Sequence, residues 1–152
     1  MGKKLIEVSP FLPLDAISVA SRADKDKKTG TIKNVHKWFA PMPTPALRAL
    51  IFAAAADAPE DDDERGRLMD LVKRLVRANG NAPDVATLAE AHDAIRASNG
   101  GELPTIFDPF CGGGSTLIEA QRLGLPAIAS TLRALAARSH PGPDAHLRHS
   151  QS

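Results

Sequence analysis

The residues whose types and spacing most clearly suggest ligand binding or catalysis form a glycine-rich stretch from Asp108 to Ser115. It follows a short apolar run at 103–107 and precedes residues typical of a helix at 116–123. Three consecutive glycines let the backbone turn sharply and approach a ligand without interference from Cβ atoms. A following helix would direct its unpaired N–H groups towards that ligand. The pattern predicts a loop that binds a small molecule; a glycine-rich turn with no ligand is the alternative.

Two common nucleotide-binding loops differ from this stretch. A P-loop requires Gly-Lys-Ser/Thr, but here Gly114 is followed directly by Ser115 with no lysine. A dinucleotide-binding fingerprint requires a third glycine three residues after the second, where this chain has Leu117. The first possibility is therefore excluded and the second is weakened.

The stretch also has an acidic residue, Asp108, at the predicted strand end, and then the pattern Phe-x-Gly-x-Gly from Phe110 to Gly114. This pattern resembles motif I of S-adenosylmethionine-dependent methyltransferases. The form Asp-Pro-Phe-x-Gly-x-Gly-Ser is similar to that of the amino-methylating DNA enzymes. Over about residues 3–130 the chain resembles the bacterial and archaeal adenine-specific DNA methylases, which open with a short domain of unknown function. The blocks that carry the resemblance are 4–8, 12–17, 36–40, 48–53 and 119–124.

The resemblance implies S-adenosylmethionine as cofactor and DNA as partner. Asp108 would hold the amino end of the cofactor's methionine part, directly or through water. Gly112 and Gly114 would let the backbone pass close to the cofactor, and the N–H groups around Ser115 would face its carboxylate. Phe110 would pack beneath the loop.

Two departures from the family pattern concern catalysis. Thr131 stands after the second strand where the family carries an acid that grips the cofactor's ribose. The family's Asp/Asn/Ser-Pro-Pro-aromatic motif, which orients the target amine, has no counterpart because the sequence lacks any Pro-Pro dipeptide. Only 38 residues follow Gly114 in the chain of 152. We therefore expect no catalytic residue here, and a chain that is inactive alone or acts with a separate chain carrying the rest of the methyltransferase.

Hydrophobic periodicity divides the chain into a helical part and a mixed part. Charges dominate residues 22–30 without apolar periodicity, which predicts a solvated loop. Elsewhere the spacing predicts helices over 16–20, 46–56, 67–76, 83–95 and 116–123 and strands over 103–107 and 125–130.

These elements predict an α/β protein with a helical N-terminal region followed by the first βαβ unit of an incomplete Rossmann-like methyltransferase fold. The predicted divisions are a mainly helical domain of unknown function at 1–100, the start of the S-adenosylmethionine-binding domain at 101–131, and a disordered tail at 132–152.

A basic and aromatic cluster supports a different hypothesis. A net charge of +1 gives no global attraction to nucleic acid, so any DNA contact must be local. Lys33, His36, Lys37 and Trp38 could contact a DNA backbone with an aromatic anchor, or form a solvated loop followed by a core tryptophan. The alternatives to a methyltransferase are therefore a non-catalytic DNA- or protein-binding module and a gene remnant without function.

The remaining reactive residues predict little chemistry. The single cysteine, Cys111, excludes an intramolecular disulfide and is interpreted as a small loop side chain. His146 and His149 lie three apart but have no cluster of carboxylates beside them, so we expect no metal site. The absence of a signal peptide or a long apolar run predicts a cytoplasmic protein with no membrane role.

Overall fold

The computed structural model describes residues 2–8, 12–26, 42–77 and 83–130, and the predicted tail at 132–152 lies outside them. In chain order, the elements are a 3-10 helix, Leu5–Val8, then α1 (Leu14–Asp26), α2 (Thr44–Ala55), α3 (Asp62–Val76), α4 (Val85–Ala97), β1 (Ile106–Asp108), α5 (Ser115–Arg122) and β2 (Ala127–Ala129). The described part is thus mixed α/β and mostly helical, with one two-stranded parallel sheet. This confirms the predicted class in outline.

The central helix of the core is α2, whose sequence is almost entirely apolar. It packs against α1, α3 and α5. Its N-cap residue, Pro43, has no side chain that can accept a hydrogen bond. Asp24 of α1 supplies that acceptor instead, because its Oδ2 lies 3.4 Å from the backbone nitrogen of Thr44.

The prediction of a solvated loop at 22–30 is wrong for residues 22–26, which belong to α1. Ala20 and Asp24 are buried four residues apart, as the helical repeat requires, and Ile17 packs against the same core. The charges of Arg22 and Lys25 stay exposed. The inward face was missed because it contains a small residue and a carboxylate instead of large apolar side chains.

Acidic residues begin α3 and α4. Asp61 accepts a hydrogen bond from the Glu64 nitrogen at 2.7 Å, so the acidic run is a helix entry as predicted. Asp84 caps α4 in the same way, accepting the backbone N–H of Thr87 at 2.8 Å. That bond is the largest cause that lowers the pKa of Asp84 below its ordinary value of 3.8, and the hydrogen bond from the Thr87 hydroxyl is the next largest.

The N-terminal residues are fixed to the helical core through Lys4. Its backbone forms an antiparallel bridge with Asp57, and its Nζ lies 2.7 Å from the Oδ1 of that residue. The same ammonium group donates to the Asn99 side chain and to the carbonyl oxygens of Ala55 and Ser98. Lys4 therefore joins the ends of α2 and α4.

Buried apolar side chains form one cluster that extends from Leu5 through the helices to Leu123 and Leu125. Ile106 and Ala127 pack against its border. The core thus crosses the boundary predicted at 100–101, while the division into separate domains stays a prediction. No helix among the described residues is long and apolar enough to cross a membrane.

Candidate functional site

The glycine-rich stretch joins β1 to α5, and β2 returns beside β1. The two strands are parallel and in the register Ile106 to Ala127, Phe107 to Ile128 and Asp108 to Ala129. The loop therefore starts at the carboxyl end of β1, beside the end of β2. Ligands of open parallel sheets bind at this edge, because the loops that follow the strands meet there.

Hydrogen bonds to both strands hold the beginning of the loop. The Asp108 carbonyl oxygen accepts from the Ser130 nitrogen at 3.0 Å, and the Cys111 nitrogen donates to the Ser130 carbonyl at 3.1 Å. The Asp108 side chain accepts the Phe110 N–H through Oδ1 at 2.9 Å. Its other oxygen, Oδ2, makes no hydrogen bond to the described residues and can serve a ligand.

Gly114 is the N-cap of α5 and has a left-handed conformation with φ of 83°. Its nitrogen donates to the Cys111 carbonyl at 2.8 Å, which closes the turn. A Cβ added at Gly114 would meet no heavy atom within 4 Å, so the space beside it is open. The N–H groups of Ser115 and Thr116 find no acceptor among the described residues, because a glycine has no side chain to cap them.

All five residues predicted to bind cofactor, Asp108, Phe110, Gly112, Gly114 and Ser115, lie in this loop. Gly112 also has a positive φ, of 52°, which few other residues adopt. Phe110 differs from the expectation that it packs beneath the loop, because 77% of it is exposed. The short turn from Asp108 directs this ring outwards.

The position expected to bind a ribose lies just after β2. Ser130 is the last described residue there, and its Oγ donates to the Pro109 carbonyl at 3.3 Å. Thr131 lies outside the described residues, as do Lys33, His36, Lys37 and Trp38 of the predicted DNA-binding cluster.

One face of the sheet is apolar and open to solvent. Phe107 and Ile128 are cross-strand partners with 67% and 60% of their surfaces exposed. The opposite face, which carries Ile106 and Ala127, packs against α5 and the core. Alternation along each strand separates the two faces.

A buried ion pair connects α5 to α2. Arg48 of α2 donates from Nε to the Oε2 of Glu119 at 2.6 Å, and the two side chains are 1% and 0% exposed. The arginine also donates from Nη1 to the Leu75 carbonyl at 2.6 Å. No pattern in the sequence predicts a role for either charge. Arg48 could have indicated the ion pair, because it is the one charged residue in an almost entirely apolar helix and a charged side chain is rarely buried without a partner.

A cleft lies near the amino end of β1, away from the glycine-rich loop. This cleft of about 390 Å³ is lined by Gly2, Lys4, Asp57, Ser98, Asn99, Glu102, Leu103 and Pro104. The polar atoms of Lys4, Asp57 and Asn99 already bind one another or nearby carbonyls. These contacts hold the N-terminal residues against the ends of α2 and α4.

Residues 11–75 match the family described as Protein of unknown function (DUF1156). The match covers α1, α2 and nearly all of α3, and it ends before β1 and the loop. The chain matches no curated protein and no solved structure. In the described residues, no group of three or more His, Cys, Asp and Glu side chains could hold a metal ion.

Proposed function

We propose that this chain is the N-terminal part of an S-adenosylmethionine-dependent DNA methyltransferase similar to the adenine-specific enzymes, located in the cytoplasm. The observation that carries the proposal is the loop at the carboxyl end of β1, where Gly114 opens α5 beside empty space. The sequence of this loop resembles motif I of such enzymes. Its geometry is compatible with a small ligand that has both a cationic and an anionic end.

The cofactor's amino acid part has complementary charges. The Asp108 carboxylate keeps one oxygen available for an ammonium group. On the other side of the turn, the N–H groups of Ser115 and Thr116 point from the start of α5, where the helix dipole favours a carboxylate. When bound, S-adenosylmethionine supplies an activated methyl group. The loop's part in the reaction is to bind and orient the cofactor.

The open face of the sheet supports an incomplete Rossmann-like fold that a separate chain completes. Parallel sheets are normally covered on both faces, yet Phe107 and Ile128 are exposed. Ile106 donates to the Pro126 carbonyl and Ser130 donates to the Asp108 carbonyl. Since parallel strands alternate their bonding direction, the N–H and C=O of Phe107 point to the outer edge of β1. A further strand could pair there.

Methyl transfer by this chain alone is not expected. Its sequence has no Pro-Pro dipeptide, and hence no Asp/Asn/Ser-Pro-Pro-aromatic motif to hold a target amine. We therefore expect this chain to bind the cofactor and a partner to supply the catalytic residues. Addition of such a partner should create activity that neither chain shows by itself.

The direct test measures melting temperature with and without S-adenosylmethionine. At a concentration tenfold above Kd, binding should stabilise the fold by about 1.4 kcal/mol, or roughly 3–6 °C. Gly114→Ala should abolish this rise, because its Cβ would enter the open space that a ligand needs. ATP and NAD should produce no rise in the wild type, because they lack the amino acid part.

Gly101→Ala is the matched control. Gly101 has a φ of 90°, close to that of Gly114, and its added Cβ also meets nothing within 4 Å. Both variants therefore introduce similar backbone strain, but only Gly114 belongs to the loop. A wild type that shows no shift at millimolar S-adenosylmethionine would rule out the intact cofactor site. DNA binding that weakens with salt and disappears when Lys33 and Lys37 are neutralised would then favour the binding-module alternative.

A further inference from the structure

The helix that follows the loop, α5, is too short to be stable without contacts to other elements. α5 spans only Ser115–Arg122, and helices this short are not stable in isolation. The sheet beside it has two strands of three residues each. Among the elements that contact α5, α2 has the most extensive contact and therefore contributes most to its orientation.

Arg48 and Glu119 fix this contact with directional bonds. The guanidinium group binds Glu119 on α5 and the Leu75 carbonyl near the end of α3. The second carboxylate oxygen of Glu119 accepts from Arg122, one turn further along α5. Because hydrogen bonds depend on direction more than apolar contacts do, these bonds limit the orientation of α5 relative to α2 and α3.

We infer that Arg48 is a positioning residue for the glycine-rich loop, and that the segment matching the family of unknown function serves as the support that orients this loop. The use of that orientation for cofactor binding rests on the proposed function. Glu119 lies four residues after Ser115, so the ion pair is roughly 6 Å along the helix axis from the loop. Rotation of α5 at this point would move the N–H groups that face the ligand.

Stability and orientation can be separated by replacing both charges. A buried ion pair often stabilises a fold no more than well-packed apolar residues do, whereas loss of one partner is strongly destabilising. We therefore choose the double variant Arg48→Met/Glu119→Leu, which is expected to fold with the α5 orientation no longer fixed by hydrogen bonds. The matched control is Arg74→Met/Glu90→Leu, which removes an exposed ion pair between α3 and α4.

The measurements are melting temperature, amide NMR spectra of the ligand-free protein and the Kd for S-adenosylmethionine. In the Arg48→Met/Glu119→Leu variant, the amide signals of Gly112 and Gly114 should shift and α5 amides should exchange at least about tenfold faster. Its Kd should rise about tenfold or more. The control variant should retain the wild-type values of all three quantities.

A folded double variant with unchanged loop signals and unchanged α5 exchange would overturn the inference. If that variant does not fold, Arg48→Lys decides the question, because lysine keeps the charge but cannot bind Glu119 and Leu75 with the same fork. Unchanged amide signals of Gly112 and Gly114 in the lysine variant would also contradict the positioning role of Arg48. If the wild type fails to bind S-adenosylmethionine, the proposed function fails, while the ligand-free amide data still test the positioning role.

Discussion

The imidazole of His92 lies directly against the backbone of Gly124. Its Nδ1 is 3.1 Å from the Leu123 carbonyl oxygen at the end of α5. A Cβ at position 124 would lie 2.5 Å from the same nitrogen, and the glycine has a φ of 73°. Both the backbone conformation and this close contact therefore require glycine where α5 ends and the chain turns towards β2.

Gly124→Ala should lower the free energy of unfolding by roughly 2–3 kcal/mol, from backbone strain and displacement of the His92 ring. Urea denaturation checks this value. Gly101→Ala, which adds a similar strain without a steric contact, should cost only about 1–2 kcal/mol. In the His92→Ala background the alanine at 124 should be tolerated better, so fully additive effects would contradict the proposed contact.

The cap of α4 should make stability depend on pH through Asp84. Because the pKa of this carboxyl is lowered in the fold, its stabilising contribution is complete above the ordinary value of 3.8 and is lost as pH falls through the lowered pKa. Asp84→Asn retains an acceptor for the Thr87 N–H but has no charge. Its urea midpoint should be below that of the wild type at neutral pH, and the two should converge in acid. A constant difference across this range would exclude the carboxylate as the cause.

Substitution by threonine should cost much less stability on the exposed face of β1 than on its buried face. Phe107→Thr should change the free energy of unfolding by less than about 0.5 kcal/mol and increase solubility, because an exposed apolar ring is removed. Ile106→Thr, one residue earlier, should cost about 1–2 kcal/mol because it weakens packing on the core. Thermal denaturation and solubility measurements test both variants. A greater stability loss at Phe107 would contradict the assignment of the faces.

Lys4→Ala should destabilise the fold by about 1–3 kcal/mol, because the partly buried acceptors of Asp57 and Asn99 would lose their ammonium partner. Lys3→Ala is the neighbouring control, since the Lys3 side chain is exposed and only its backbone binds Ala58. It should remain within about 0.5 kcal/mol of the wild type. Equal effects on the urea midpoint would show that Lys4 does not join the ends of α2 and α4.

Local patterns in the sequence predicted most of the elements but few of the contacts between them. The spacing at 67–76 predicted most of α3, and Gly114 followed by apolar residues predicted the start of α5. The inner face of α1 was missed because Asp24, a charged residue, lies on it. The outward direction of Phe110 depends on a turn around Asp108, which composition alone does not determine.

Contacts between residues far apart in the sequence could not be predicted from these local patterns. Arg48 and Glu119 are 71 positions apart, and periodicity carries no information about which elements meet. The sequence did place Asp108, Gly112, Gly114 and Ser115 in one loop, because they are contiguous. The ion pair behind that loop required the packing of α5 on α2 to be known.

The burial of Arg48 also has a consequence for the order of folding. During synthesis the helices that surround this arginine emerge before Glu119, so its guanidinium must stay hydrated until α5 follows. Final packing of the N-terminal helices should therefore be completed late, when the carboxylate arrives. A fragment ending at residue 100 would keep the Leu75 carbonyl but lack the Glu119 carboxylate, and we expect its helices to remain loosely packed around the hydrated guanidinium group.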